Sequence, residues 1–135
     1  MLKGINWIAV LVAVVLLEAL GFLWYGPLFG ERWTAALGKE PDMSNFAVNM
    51  SLGVVNTIII VLGLSWLLRR LGATSLQTAV LGALTAWFFF NFTTMAIEYI
   101  YVGHSAEFVL INMGFQLVSY VLAGAVLGLM KPKAA

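Results

Sequence analysis

Four long apolar stretches, separated by short polar segments, dominate the chain. They cover about residues 5–25, 46–68, 76–100 and 108–130. A helix rising about 1.5 Å per residue needs about 20 residues to cross a hydrocarbon core about 30 Å thick. The apolar runs are continuous and do not alternate with polar residues, which excludes the strands of a membrane barrel. The pattern predicts an all-α, polytopic membrane protein with four transmembrane helices in a compact bundle, forming a single transmembrane domain over residues 1–135.

The polar segments carry the signals that end one helix and begin the next. An interfacial segment of about residues 27–44 follows the first stretch and holds two prolines and most of the loop charge. Its centre, from Glu31 to Leu37, predicts a short helix lying on the membrane. Thr74 and Ser75 are candidate N-caps of the third long helix.

The composition indicates that lipid forms much of the surroundings of this chain. Hydrophobic residues make up 62% of the sequence and charged residues 10%, with a mean hydropathy of +0.99. The absence of cysteine excludes disulfides, thiolate metal sites and cysteine nucleophiles. A net charge of +1 without any basic run indicates no nucleic-acid partner. We expect the lipid bilayer as a partner, and no cofactor or metal.

The distribution of charge predicts the orientation in the membrane. Five basic residues fall on one side of the predicted spans: Lys3, Arg69, Arg70, Lys131 and Lys133. Arg32 and Lys39 fall on the other side, together with the acidic residues of the loops. Because lysine and arginine are enriched in cytoplasmic loops, we expect a multi-pass protein of the cell (inner) membrane with both termini cytoplasmic. Glu18 interrupts the first stretch, so we expect a retained anchor there and not a cleaved signal peptide.

One strongly polar side chain lies at a similar depth in each predicted helix. These four are Glu18, Asn56, Asn91 and Gln116. An acid facing lipid costs about 2.5–3.5 kcal/mol, so these side chains are expected to turn inward and meet. Glu98, Asn49 and Asn112 continue the same helical stripes toward the outer side. The pattern predicts an outward-facing polar pocket with the candidate residues Glu18, Asn56, Asn91, Glu98, Asn112 and Gln116.

Two interpretations of these residues stay open. Amides and hydroxyls can join helices by hydrogen bonds worth about 0.6–2 kcal/mol each, and we expect this role for the amides. Alternatively, the residues line a cavity that binds a small polar solute or a cation, with Glu18 as the charged group. For Glu18 we favour this second role, because intramembrane carboxylates are rare and costly.

Our first functional expectation is a small membrane protein that binds or passes a small solute or ion through this pocket, as a homo-oligomer. The alternative is a non-transporting accessory or scaffold subunit of a larger membrane complex, with a membrane-protein partner. No nucleophile–base pair, phosphate-binding loop or histidine pair appears within the spans, so nothing indicates an enzyme. His104, with Glu98 and Glu107 nearby in sequence, supplies too few ligands to predict a metal site.

Two further groups of residues point to structural roles. Gly124 and Gly128 form a small-xxx-small pair in the fourth helix, which would let two helices approach closely, within the fold or between copies. Trp24, Tyr25 and Trp33 are candidate interface anchors near the outer membrane surface, where tryptophan and tyrosine are enriched.

Several of these residues belong to a more specific pattern. The first third contains Asn6-Trp7, Leu23-Trp24-Tyr25-Gly26-Pro27, Phe29-Gly30, Trp33 and Gly38, and the fourth helix contains Ile111-Asn112-Met113-Gly114-Phe115-Gln116. With these residues, its length and its four-span layout, the chain resembles the bacterial domain of unknown function 1761 family of small four-helix integral membrane proteins. The resemblance covers nearly the whole chain and implies the fold, but that family has no settled activity. It implies that the turn from Trp24 to Trp33 is a structural signature, in which Pro27 ends the helix.

Two positions depart from the pattern of that family. A small polar residue often stands where this chain has Gly26, and a histidine where it has Gln116. Glutamine neither titrates nor binds a metal as an imidazole does. The resemblance therefore implies no proton or metal chemistry at Gln116.

Overall fold

The computed structural model describes residues 2–130, and the regular structure within them is entirely helical. The helices are α1 Trp7–Leu28, α2 Gly30–Leu37, α3 Phe46–Arg70, α4 Leu76–Val102 and α5 Ala106–Leu129. All except α2 are long and apolar enough to cross a membrane. The predicted all-α architecture with four spans is confirmed, and each predicted boundary of a span lies within about three residues of the observed one.

Short polar residues begin three of the long helices by pairing with their first backbone N–H groups. The Asn6 side chain accepts hydrogen bonds from two N–H groups in the first turn of α1. Ser75 forms a capping box with Thr78 at the start of α4, and Ser105 caps α5. Such a cap stabilises a helix by about 1 kcal/mol. Of the two candidate caps predicted for α4, Ser75 is confirmed, whereas Thr74 precedes the cap.

The end of α1 lies beside Pro27, where the sequence predicted that the helix stops. Gly26 departs from helical geometry, with φ −105° and ψ −105°, which kinks α1 directly before Pro27, and one wider turn follows to Leu28. This turn closes because the N–H of Phe29 donates to the carbonyl oxygen of Trp24 at 2.8 Å, so no donor is needed from proline. The predicted short helix follows as α2 and ends at Leu37, where Gly38 caps it with a φ of +76°.

The long helices alternate in direction, so the first and last described residues lie at the same end of the bundle. Asn6 Nδ2 donates to the carbonyl oxygen of Met130 at 2.8 Å, and Arg69 Nη1 donates to that of Lys3 at 2.7 Å. We call this end, with residues 2–6 and 69–75, the basic end. The opposite end, with residues 28–45 and 103–107, is called the acidic end.

Helix α5 is at the centre of the bundle and contacts each of the other four helices. Its contact with α4 is close because the facing residues are small. A Cβ atom at Gly124 would lie 2.7 Å from the Cβ of Ala83, and one at Gly128 would lie 2.7 Å from the Cβ of Ala79. Both distances are far below ordinary van der Waals contact. The small-xxx-small pair thus packs within the fold.

Burial in α1, α3 and α4 is confined to the half near the basic end. The buried residues of α1 end at Leu17, those of α3 begin at Val61, and those of α4 end at Ala86. Among the described residues, only α5 is buried along most of its length, from Val109 to Gly128. The halves of α1, α3 and α4 near the acidic end are therefore more open, and the candidate site lies in the groove between α1 and α3.

Candidate functional site

Glu18 lies near the middle of α1 and faces a groove bounded by α1, α3 and α5. Its side chain is half-buried and lines two adjoining cavities. One cavity, of about 200 Å³, lies between the three helices. The other, of about 310 Å³, extends along α1 toward the acidic end. Each is far larger than the roughly 10–15 Å³ that a single water needs.

Polar side chains from two other helices converge with Glu18 on the smaller cavity. Asn56 reaches it from α3, while Gln116 and Ser119 reach it from α5, one helical turn apart. Ser119 is 3% exposed, and its Oγ has no hydrogen-bond partner within residues 2–130. A buried hydroxyl without a partner costs about 1–3 kcal/mol, so this cavity favours a polar occupant.

The cavities form a row from Glu18 to the acidic end. Gly21 lines both of the cavities beside Glu18, and Gly26, five residues farther along α1, lines the second of them. Gly26 also borders an open depression of about 860 Å³, whose lining includes Glu31 and Lys39. Because neighbouring cavities share these residues, the cavities follow one another along α1 from Glu18 toward the acidic end.

No positive charge offsets Glu18 within the part of the chain that the structure describes. The ion pairs there join Arg32 Nε to Glu107 Oε1 at 2.7 Å, and His104 Nε2 to Glu98 Oε2 at 3.5 Å. Both pairs lie at the acidic end. Within residues 2–130, no three or more side chains of His, Cys, Asp or Glu come together in a group that could hold a metal.

Outside the spans, hydrogen bonds within one loop lower the pKa of the Asp42 carboxyl group. The side chain and the backbone N–H of Ser44 form hydrogen bonds with Asp42 and hold the pKa of that carboxyl below its usual value; the N–H lies 2.9 Å from Oδ1. Asp42 therefore keeps its charge to a lower pH than a free aspartate does. Asp42 lies two residues after Glu40, and Glu40 lines the open depression. Asp42 therefore adds negative charge to the acidic end.

Asn91 does not reach the groove, so the prediction that polar residues of all four helices meet is wrong for α4. Neither cavity beside Glu18 is lined by α4. This helix packs against another face of α5, the face that carries Gly124 and Gly128. Asn91 lies in a π-helical stretch of α4 and approaches the hydroxyl group of Tyr120 on α5. Its Oδ1 is buried and has no partner within residues 2–130. The residue belongs to the contact between α4 and α5.

Asn112 and Glu98 also lie outside the two cavities beside Glu18. The Oδ1 atom of Asn112 accepts hydrogen bonds from Tyr25 Oη at 2.7 Å and from Trp33 Nε1 at 3.0 Å. This amide therefore joins α1 and α2 to α5, which is the packing role that the sequence left open for it. Glu98 lies near the end of α4, paired with His104.

The three predicted interface anchors face the interior of the bundle. Tyr25 and Trp33 bond to α5 as described above, and Trp24 Nε1 donates to the carbonyl oxygen of Ile111 at 3.0 Å. The rings of Tyr25 and Phe115 lie 5.1 Å apart between centroids. A Cβ atom at Gly114 would lie 3.1 Å from the Trp24 ring, so glycine makes room for the indole. Their role in this structure is to hold α1 and α2 against α5.

Two features of the groove were not among the predicted site residues. Ser119 lies three positions after Gln116 and shares its helical stripe with Asn112 and Gln116, although it was not counted among the candidate pocket residues. Gly21 and Gly53 also line the smaller cavity, where the lack of a side chain leaves space beside Glu18. A glycine in a membrane helix has several roles, so sequence alone did not distinguish a cavity wall from a packing contact.

Comparison with known families shows which family the chain belongs to. A family model described as "Protein of unknown function (DUF1761)" matches residues 8–128, so the chain belongs to that family. No curated protein and no solved structure matches it significantly. The matched region contains all the residues on which the resemblance rests except Asn6 and Trp7. Its two groups touch in the structure, where Trp24 and Tyr25 pack against Phe115.

Proposed function

We propose that this member of the DUF1761 family is a multi-pass protein of the bacterial cell membrane that binds or passes a small, singly charged cation at Glu18. The row of cavities between Glu18 and the acidic end is the observation that carries this proposal. A carboxylate in the middle of a membrane span is costly unless a positive charge or a proton offsets it. No basic side chain within residues 2–130 pairs with Glu18, so a cation from outside is the favoured partner.

The groups around Glu18 are oxygen ligands. The smaller cavity combines its carboxylate with the side-chain amides of Asn56 and Gln116 and the hydroxyl of Ser119. Carboxylate, carbonyl and hydroxyl oxygens suit hard cations and ammonium groups, whereas transition metals prefer imidazole or thiolate ligands. One carboxylate balances one positive charge. We therefore infer that the ligand is Na⁺, K⁺ or a small primary ammonium solute.

Thermal unfolding of the full chain in detergent tests this proposal. Na⁺, K⁺ or methylammonium, compared at constant ionic strength, should raise the unfolding midpoint of the unaltered protein. A ligand present at 100 times its Kd adds about 2.7 kcal/mol to the stability of the folded state. Glu18→Gln removes the charge with little change in shape, so this cation-dependent stabilisation should disappear.

Glu98→Gln is the matched control, because it makes the same substitution at a carboxylate near the end of α4 and outside the cavities beside Glu18. It should keep the full response to the cation. The proposal fails if none of the three cations stabilises the protein, or if Glu18→Gln responds as the unaltered protein does. Flux of the bound cation into proteoliposomes then distinguishes passage from binding alone.

We also propose that the chain works as a homo-oligomer. Asn49 and Asn56 are exposed on one face of α3, beside the groove that contains Glu18. Amides are unfavourable against lipid and hydrogen-bond well between helices. A second copy packed along α3 would cover both amides and close the groove. In the alternative function, an accessory subunit of a larger complex, a different protein would cover this face.

Native mass spectrometry after extraction in mild detergent distinguishes these two partners. A homo-oligomer should appear at a multiple of 14.7 kDa. The double substitution Asn49→Leu with Asn56→Leu removes interhelical hydrogen bonds worth about 0.6–2 kcal/mol each, so it should shift the population toward monomer. If the protein instead appears in a complex with other proteins in constant proportion, the homo-oligomer proposal is contradicted and the accessory-subunit alternative is supported.

We propose, finally, that both termini face the cytoplasm. Lys3, Arg69 and Arg70 lie together at the basic end, while Lys131 and Lys133, on which the prediction also rests, lie outside the described residues. The chain has no cysteine, so single cysteines report accessibility without interference. Lys39→Cys should react with an impermeant maleimide on intact cells, and Thr74→Cys only after permeabilisation. The reverse pattern would contradict this orientation.

A further inference from the structure

We propose that the basic end holds a second site, which binds the phosphate of an anionic phospholipid headgroup. A concave surface of about 220 Å³ there is lined by Lys3, Trp66, Arg69 and Arg70. Guanidinium and ammonium groups are the side chains that bind phosphate oxygens best. The site lies at the opposite end from the opening of the Glu18 cavities and does not depend on the function proposed for them.

Contacts within the protein position the two arginines. Arg69 Nη1 donates to the carbonyl oxygen of Lys3 at 2.7 Å, which joins the residues before α1 to the end of α3. Gly4 lies against the same guanidinium with a φ of +81°, a conformation that favours glycine. The guanidinium carbon of Arg70 lies 5.6 Å from the centroid of the Trp66 ring, within the range of a cation–π interaction. Positioning before binding lowers the entropic cost of capturing a ligand.

No acidic residue offsets these three cations. The sequence has no Asp or Glu in residues 1–17, 43–97 or 108–135, and the basic end lies within these ranges. Neither ion pair found within residues 2–130 involves Lys3, Arg69 or Arg70. The pocket thus brings together three formal positive charges, which favours a phosphate as the ligand.

The position of the pocket favours a lipid over a free anion. Arg69 and Arg70 directly follow the apolar run of α3, where a span meets the level of the headgroups. Toward the membrane centre from Trp66, the same face of α3 presents Gly63 and Ile59 at helical spacing. Ile59 is 62% exposed, and a Cβ atom at Gly63 would meet nothing within 4 Å. This face offers an acyl chain an apolar path that starts at the cationic pocket.

Native mass spectrometry of the full chain in detergent, titrated with phosphatidylglycerol or phosphatidylcholine, tests the proposal. Phosphatidylglycerol should bind more tightly, and its affinity should fall about fivefold for each cation removed. Lys3→Gln with Arg70→Gln is the test variant, because it keeps the hydrogen bond of Arg69 to the backbone. Arg32→Gln with Lys39→Gln removes the same charge at the acidic end and should leave phosphatidylglycerol binding unchanged.

Two further measurements identify the place and the ligand. Phosphatidylglycerol with brominated acyl chains should quench tryptophan fluorescence less in Trp66→Phe than in the unaltered protein. Inorganic phosphate at millimolar concentration should not displace the lipid. The proposal is overturned if the two lipids bind equally, if both double variants lose the same affinity, if Trp66→Phe is quenched as the unaltered protein is, or if inorganic phosphate displaces the lipid.

Discussion

The half of the bundle near the basic end and the half near the acidic end are held together in different ways. Near the basic end, small side chains of all four long helices are buried against one another, and the following are 0% exposed: Ala9, Ala13, Val61, Ala83 and Ala123. Near the acidic end, aromatic rings and side-chain hydrogen bonds join α1 and α2 to α5, while the first half of α3 is largely exposed.

This difference follows from the size of the residues at each contact. Helices in lipid gain nothing from hiding apolar surface, so they associate through close packing, which alanine and glycine permit. Bulky rings keep backbones farther apart and need polar partners for their N–H and O–H groups. The result is a closely packed half that sets the positions of the helices, and an open half in which Glu18 can be reached.

Disrupting the closely packed half should have the largest effect on stability. Gly124→Leu places a side chain where a single Cβ atom already meets the Cβ of Ala83 at 2.7 Å. Overpacking of this kind costs about 1–3 kcal/mol, and the upper end applies here because α4 must move away from α5. Thermal unfolding in detergent measures the loss. Gly63→Leu is the control, since a Cβ there would meet nothing within 4 Å; equal destabilisation by both variants would contradict the role of the α4–α5 contact.

Removing the central acceptor of the open half should have an intermediate effect. Asn112→Ala leaves Tyr25 Oη and Trp33 Nε1 without the oxygen that accepts from both. Unpaired buried donors cost about 1–3 kcal/mol of stability. Because Tyr25 and Trp33 are only half-buried, the expected loss of stability lies near the lower value. Release of α2 from α5 should also speed tryptic cleavage after Lys39. The exposed amide of Asn49 provides the control, because Asn49→Ala in the monomer should change neither stability nor cleavage.

Breaking the ion pair at the surface of the open half should have the smallest effect. Arg32 Nε and Glu107 Oε1 lie 2.7 Å apart, but their side chains are 70% and 48% exposed. Exposed pairs of this kind contribute about 0.2–1 kcal/mol and weaken with salt. A double-mutant cycle of Arg32→Gln and Glu107→Gln measures the coupling. A coupling that persists unchanged at high salt would show that the contact is more than an exposed ion pair.

Features that depend on nearby residues were predicted well from the sequence. Hydrophobic length identified the four spans, and the serine before α4 identified its cap, because both effects act within one helix. The pair Gly124 and Gly128 was recognised as a packing motif, but two kinds of partner fit it. Its partner proved to be α4, which no local pattern specifies.

The composition of the candidate site was predicted only in part. The helical stripes predicted that Glu18, Asn56 and Gln116 lie on faces that meet, and these three residues line one cavity in the structure. The stripes also assigned Asn91 and Asn112 to the same pocket. A stripe shows which face of a helix is polar and leaves open which neighbour that face meets. In the structure, the Asn91 side chain lies near Tyr120, and the Asn112 side chain accepts hydrogen bonds from Tyr25 and Trp33.

The sequence by itself determined the number, length and order of the helices and which ends carry the charge, because lipid thickness and capping chemistry act on each segment separately. Only the tertiary structure decided that α5 is central, that α4 lies on another face of it, and that Glu18 opens onto a row of cavities. The rotation of each helix about its axis depends on the shapes of side chains far away in sequence, so these relations arise only when the helices pack together.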